Sequence, residues 1–499
     1  MKTAKMNFAV NYVVNYVKNV AITMALLGWL ISWAAPAASA QAKIVGWAVG
    51  NSGTILYTPD ATDKTKWGVQ AAPKDTPKLN GVASVDGTMA WAVGNSPQPG
   101  GKNKPGTILY WDGTVKKPEW VIQDKDDKAQ PIPSVHLHGV SFVDNTHGWA
   151  VGDSDGTSAT ILYTKGTNGR IWAKLTNPAD KRANLYGVSF VLYKGKYYGW
   201  VVGTGGTVLY SYGDGTTWTA GTGPPKDKGA FRSVSGYFSG LDRQKNPVFA
   251  VYAVGDKDLG VWKSTDSGKT WTQADKIGGQ LDLKAIQMFT ASDIWVGQTG
   301  ADDVFNWTNK NDGWQNRKTG IFDDVYGLSG FQLKGADSIW VVGKPNKDGV
   351  NIARGAIADK KFQWTSHDNP QGKTAQQLNG IVIVKPPSGQ KKLVTLEELT
   401  SPESGAADVN YVSVTGSGFP DGNILAGNVA VELAAECHGP ASASTSAVSM
   451  VSGSGDSELL SFLLPGGLAP GQYFVSISDS EDGEANFESS NCSEVNVSQ

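Results

Sequence analysis

Along most of the chain, short apolar runs alternate with clusters of Gly, Asp, Asn and Lys, and the runs repeat. Gly46-Trp47-Ala48-Val49-Gly50 is followed by Thr54-Ile55-Leu56-Tyr57. Trp91-Ala92-Val93-Gly94 leads to Thr107-Ile108-Leu109-Tyr110, Trp149-Ala150-Val151-Gly152 to Thr160-Ile161-Leu162-Tyr163, and Trp200-Val201-Val202-Gly203 to Thr207-Val208-Leu209-Tyr210. Weaker copies start at Tyr252, Trp295 and Trp340, giving seven copies spaced by 43 to 58 residues. β-rich runs of this length, bounded by turn residues, read as strands. The spacing is that of propeller blades or helical arrays, and strands select the propeller.

Two more anchors recur with the same count. An opening of the type Leu-x-Gly-Val stands at Leu79, Leu137, Leu185, Phe231, Leu283, Val325 and Leu378, and a closing Trp at Trp67, Trp120, Trp172, Trp218, Trp271, Trp314 and Trp364. Each unit then has four strands: A (Leu-x-Gly-Val), B (Trp-Ala-Val-Gly), C (Thr-Ile-Leu-Tyr) and D, ending at the Trp. The expected class is all-β, a seven-bladed propeller of four-stranded antiparallel blades. The repeats begin at a strand B (Trp47) and finish at a strand A (Leu378 to Val384). Pairing these orphans completes the first blade and removes two open edges.

Strand A should begin near the axis, on the side carrying the D–A and B–C loops. The residue between Leu and Gly then faces the mouth: Asn80, His138, Tyr186, Arg232, Lys284, Tyr326 and Asn379. The flanks keep their character while this position changes identity, as expected of a site grafted on a scaffold. Tyr186, Arg232, Lys284 and Tyr326 fall on consecutive blades and suggest a basic, aromatic arc for an anionic or glycan ligand. The plain alternative is packing between blades.

The ends change the picture. Residues 1–40 carry Lys2, Lys5 and Lys18, an apolar run from Val20 to Trp33, and Ala38-Ser39-Ala40. That layout reads as a signal peptide cleaved before Gln41, so export to the periplasm or cell surface is expected. No other stretch is apolar enough to span a bilayer. The chain has 44 Lys or Arg against 46 Asp or Glu, but none of the bases lies beyond Lys392, where fifteen of the acids fall. Residues 41–392 therefore hold 41 bases and 31 acids, a net of +10. A basic repeat region (41–392) and an acidic C-terminal domain (393–499) follow. The opposed charges are either two solvated surfaces or a sign that the ring meets an acidic partner, the chain's own tail included.

The Gly-Trp-Ala-Val-Gly, Gly-Thr-Ile-Leu-Tyr-Thr and closing Trp pattern over residues 44 to 384 resembles the β-propeller family of photosystem II stability and assembly factors. Ser264-Thr265-Asp266-Ser267-Gly268-Lys269-Thr270-Trp271 adds a complete Asp-box, and Asp214 to Trp218 a partial one. The resemblance implies a periplasmic or lumenal assembly factor using an Arg-rich patch. Here Arg170, Arg182, Arg232, Arg243, Arg317 and Arg354 are scattered, so the propeller is carried over and the photosystem client is not. The last hundred residues, through Val409 to Phe419 and Gly471 to Ser476, resemble immunoglobulin-like domains of the IPT/TIG type. Cys437 and Cys492, the only cysteines, lie in this region, and an exported chain is expected to bond them.

Asp-boxes also occur in sialidase-type propellers, but catalysis there needs an Arg triad or paired carboxylates. The repeat region holds a single Glu, Glu119, next to the closing Trp120, and most Asp sit in turns. His136, His138 and His147 could gather round a metal, and Asp153-Ser154-Asp155-Gly156 has part of a calcium loop. Ordinary polar roles account for both, and no cofactor is expected. Scattered lysines and export argue against nucleic acid. The sequence reading is an exported binding or assembly scaffold with a protein or anionic partner. A carbohydrate-active propeller, lectin or hydrolase, is the alternative.

Overall fold

A computed structural model describes residues 44–385, apart from 98–104, 124–131, 165–170, 225–228, 245, 275–276, 278–280, 292, 309–312, 334–335 and 359–360, and then the strands between 392 and 497. The expected signal peptide and both cysteines lie outside the described residues.

Seven four-stranded antiparallel sheets form the blades of a β-propeller, and no α-helix occurs among the described residues. Blade 2 is built from Leu79–Ala83, Met89–Gly94, Thr107–Asp112 and Val121–Ile122. Blade 5 is built from Phe231–Leu241, Pro247–Gly255, Val261–Ser264 and Thr272–Gln273. In blade 1 the strand Leu378–Val384 pairs with Val45–Gly50, from Val45 opposite Val384 to Gly50 opposite Leu378. Each strand A packs on the strands A of both neighbouring blades, in a cycle that returns from blade 7 through blade 1 to blade 2.

The repeating Trp explains the cohesion of the ring. Trp47, Trp91, Trp149, Trp200, Trp295 and Trp340 are fully buried between blades. Trp149 stacks on Phe190 of the next blade at 3.5 Å, and Trp91 on Phe142 at 3.8 Å. Their indole N–H groups are also satisfied across the gap: Trp149 donates to the Gly215 carbonyl at 2.6 Å, Trp200 to Ser267 at 2.8 Å and Trp340 to Ala61 at 2.9 Å. A serine ladder repeats the tie nearer the axis. Ser141, Ser189, Ser235 and Ser329, each four residues after the strand A opener, accept from the backbone N–H of Phe190, Gly236, Met288 and Ile383 in the following blade.

The fourth strand departs from expectation. It starts just after the closing Trp, as in Gly68–Gln70 and Thr219–Ala220, or at it, as in Trp172–Lys174; only Lys361–His367 begins before its Trp and runs through it. The preceding turn is the reason. In the Asp-box, Asp266 accepts from the N–H and hydroxyl of Thr270, while Ser267 and Gly268 adopt φ of 66° and 94°. The chain leaves this turn at Trp271, whose indole donates to the Gly268 carbonyl at 3.0 Å. Burying that ring fixes where the short strand begins.

Among the described residues the C-terminal region forms nine strands, ordered by pairing as 441–445, 429–434, 471–479, 487–489, 392–400, 411–417, 458–463 and 448–451, with 493–497 added on 471–479. Val431, Leu433 and Val475 are buried there. No helix among the described residues is long and apolar enough to cross a membrane.

Candidate functional site

Strand A is irregular at the same point in every blade, just after its opening residue, and blades 5 and 6 have a second shift farther along. Opposite strand B the register runs Leu79 to Gly94, then Gly81 to Val93, which leaves Asn80 as the extra residue of a bulge. The same shift isolates His138, Tyr186, Arg232, Lys284, Tyr326 and Asn379. A bulge re-aims a side chain that the pleat would otherwise point into a blade. The opener before it stays in the core, with Leu79, Leu137, Leu185 and Phe231 fully buried. All seven re-aimed side chains line one cavity of about 290 Å³ at the axis, together with Lys78.

The seven fall into two groups. Asn80 and Asn379 tie the ring: Asn80 Nδ2 donates to Asn95 Oδ1 at 2.8 Å and to the Leu137 carbonyl of the next blade at 2.7 Å. Asn379 Nδ2 does the same to Asn51 Oδ1 at 3.1 Å and the Leu79 carbonyl at 2.7 Å. The other group is ionic and aromatic. His138 Nε2 meets Asp153 Oδ1 at 2.7 Å, and its ring lies 4.8 Å from that of Tyr186. The Arg232 guanidinium covers the Tyr186 ring at 4.5 Å. It also donates through Nε and an η nitrogen to both oxygens of Asp256, at 2.7 and 3.1 Å. Lys284 Nζ stands 3.6 Å from the same carboxylate.

The electrostatics follow from this geometry. Burial opposes ionisation of Asp256, yet the Arg232 hydrogen bonds and charge, with Lys284, hold its carboxyl below the ordinary range. The Arg232 pKa is raised in turn, against a desolvation that alone would lower it. Burial pushes the Tyr326 phenol up, and Asp324 adds to this. Burial also lowers the Lys78 ammonium.

The expected arc is therefore less basic than its residue types suggest, because Asp153 and Asp256 stand among the cations. Those acids, with Asn51 and Asn95, all follow the Gly of Trp-Ala-Val-Gly. They partner the bulged residues of blades 1, 2, 3 and 5, a role that the sequence reading missed. The signal was present: one position after the strand B motif is Asn51, Asn95, Asp153, Thr204, Asp256, Gln298 and Lys344. Arg and Lys meet Asp where blades 5 and 6 adjoin, and His meets Asp in blade 3.

Other candidates do not converge. His136 Nδ1 accepts from the Ser96 N–H, His138 takes Asp153, and His147 pairs with Asp144 at 2.9 Å. Asp155 bonds Lys174 and Thr157, away from Asp153. Among the described residues, no group of three or more His, Cys, Asp or Glu is placed to hold a metal ion. Of the described arginines, Arg317 and Arg354 lie over the rings of Phe362 and Trp340, apart from Arg232 at the mouth. Glu119 is exposed beside Trp120.

No family model matches the chain, and neither does any curated protein. Solved structures do resemble it. One described as "YCF48 bound to D1 peptide" is 18% identical with a TM-score of 0.33, over 57% of this chain and 76% of that one. "YCF48 from Cyanidioschyzon merolae" is 15% identical with a TM-score of 0.39, over 68% and 92%. "Structure of YjhT" is 12% identical with a TM-score of 0.37, over 59% and 98%.

Proposed function

We propose that this protein is an exported, non-catalytic scaffold that captures a protein or other anionic partner at the mouth of its propeller, with an immunoglobulin-like domain at the C-terminus. The observation that carries this reading is the ring of seven bulged residues. Flanking positions repeat from blade to blade, while the re-aimed side chain varies and converges with the others on one cavity. Packing alone would favour one residue type at seven equivalent places, whereas five types (Asn, His, Tyr, Arg and Lys) occupy them, as a site grafted on a repeating scaffold would show.

The chemistry of the mouth supports an anionic group. Arg232 and Lys284 share one carboxylate, Asp256, which leaves one positive charge in excess beside the Tyr326 phenol. A partner carboxylate meeting that excess charge would gain charge-assisted hydrogen bonds. Sugar stacking is less well served, because His138 and Arg232 both pack on the Tyr186 ring. The ion-paired groups offer no nucleophile with a neighbouring base, the arrangement covalent catalysis requires.

The test is capture of partners from the native envelope fraction by the full chain, with Arg232→Ala and Lys284→Ala beside it. Capture lost at unchanged melting temperature supports the mouth. Capture retained by both variants moves the site to another face, and hydrolysis of a chromogenic glycoside would replace the reading.

A further inference from the structure

The side of the ring opposite the mouth is uneven. Counted from the bulge, the A–B ladder ends at Ala83 in blade 2 and Phe142 in blade 3, but reaches Tyr193 in blade 4 and Leu241 in blade 5. At about 3.3 Å per residue, the blade 5 hairpin stands roughly 15 Å beyond that of blade 3. Blade 7 also reaches seven residues past its bulge, to Leu333, but the hairpins of blades 4 and 5 are neighbours and are clamped together, since the Tyr193 ring stacks on Phe238 at 4.4 Å and 17°. Leu192, Tyr237 and Leu241 are left 37%, 39% and 52% exposed along them.

The ridge is also cationic. Lys194, Lys196, Arg243 and Lys269 are exposed, and none forms an ion pair among the described residues. Asp242, the acid at the tip, spends its carboxylate on the N–H groups of Gln244 and Asn246 and the Asn246 amide. Its turn is polar and charged, which suits a hydrated acidic surface better than the apolar depth of a membrane.

Two facts say what covers it. Strand A runs from the mouth to the hairpin side, so the chain leaves blade 1 on that side, at Val384. Beyond Lys392 it carries only acids, densest at Asp479, Glu481, Asp482, Glu484 and Glu488. We propose that the acidic run 479–488, of which 480–486 lie outside the described residues, docks on the ridge of blades 4 and 5 within the same chain. The reach suffices. Seven linker residues extend to about 25 Å, and a domain of about 100 residues adds roughly 30 Å. A ring of this chain length is about 50 Å across.

Zero-length carbodiimide cross-linking of the full chain tests this, because it joins amines to carboxylates already in contact. Peptide mapping should give links from Lys194, Lys196 or Lys269 to Glu481, Asp482 or Glu484. Their yield should be independent of protein concentration and fall several-fold at about 0.5 M salt, where charge attraction is screened within a few ångströms. Lys194→Glu with Lys196→Glu should cut the Lys269 links at least tenfold, and adding Glu481→Lys with Glu484→Lys should restore contact, read as Asp482 links. Links that grow with concentration would replace the inference with docking between copies. Acidic-run links to other lysines, or none at all, would overturn it.

Discussion

His367 makes the seam between the last and first blades sensitive to acid. The side chain is only 1% exposed, and its Nδ1 accepts the indole N–H of Trp67 at 3.2 Å. A proton on Nδ1 would face that donor, and the buried cation would lie near Arg354 and Lys64, with Asp368 and Asp63 the compensating acids. Burial first, then Arg354, lowers its pKa from 6.5 to about 4. The folded state thus holds His367 neutral while the unfolded chain protonates it below about pH 6.5. This contribution to stability is present above that value and is lost as pH falls towards 4. A difference of about 2.5 units corresponds to about 3 kcal/mol in full, of which about 2 disappears between pH 7 and pH 5. Denaturant melts at pH 7, 6 and 5 should show that loss in the parent and much less of it in His367→Gln, whose amide oxygen can still accept from Trp67. Equal pH slopes in the two proteins would refute the argument.

Three further outcomes follow from the packing. An added Cβ at Gly187 would lie 2.9 Å from the Ser233 Cα and 3.0 Å from the Val234 nitrogen, both main chain of the next blade. Gly187→Ala should therefore cost about 1–3 kcal/mol in a chemical melt, and a neutral result would deny the close approach of neighbouring strands A. Ending the chain at Asn369 removes the strand paired with Val45–Gly50 and should collapse cooperative unfolding of the whole ring; a melt like that of the parent would mean this pairing does not hold it closed. Cys437 and Cys492 should resist alkylation in protein from an oxidising compartment, and reduction should lower one calorimetric transition alone; two reactive thiols would refute the bond.

What the sequence reveals here depends on how local each signal is. The strand B motif and the closing Trp are legible because large buried side chains must recur wherever blades face one another, as at Trp149 on Phe190. The seven mouth positions were legible because they vary between fixed neighbours. Their bulged geometry was not, since a bulge depends on the opposite strand. Ion pairing was hidden for the same reason: Arg232 and Asp256 are 24 residues apart and meet only through strand register. The serine ladder is a contact between blades, visible as a repeated Ser but without a partner in its own repeat. The fourth strand was misplaced because the left-handed Ser267 and Gly268 finish the turn at Trp271, and period alone does not show where a turn ends.

A partner held at the mouth should lie within reach of Tyr326, and position-specific photocrosslinking reads that contact residue by residue. A photoreactive phenylalanine analogue placed at Tyr326 lines the cavity; the same residue at Val69, 58% exposed on the outer strand of blade 1, is the control. Irradiation of native envelopes should give a discrete adduct from position 326, absent from position 69, and lost when Lys284→Ala is added. Adducts from position 69 alone, or from position 326 regardless of Lys284, would contradict the account.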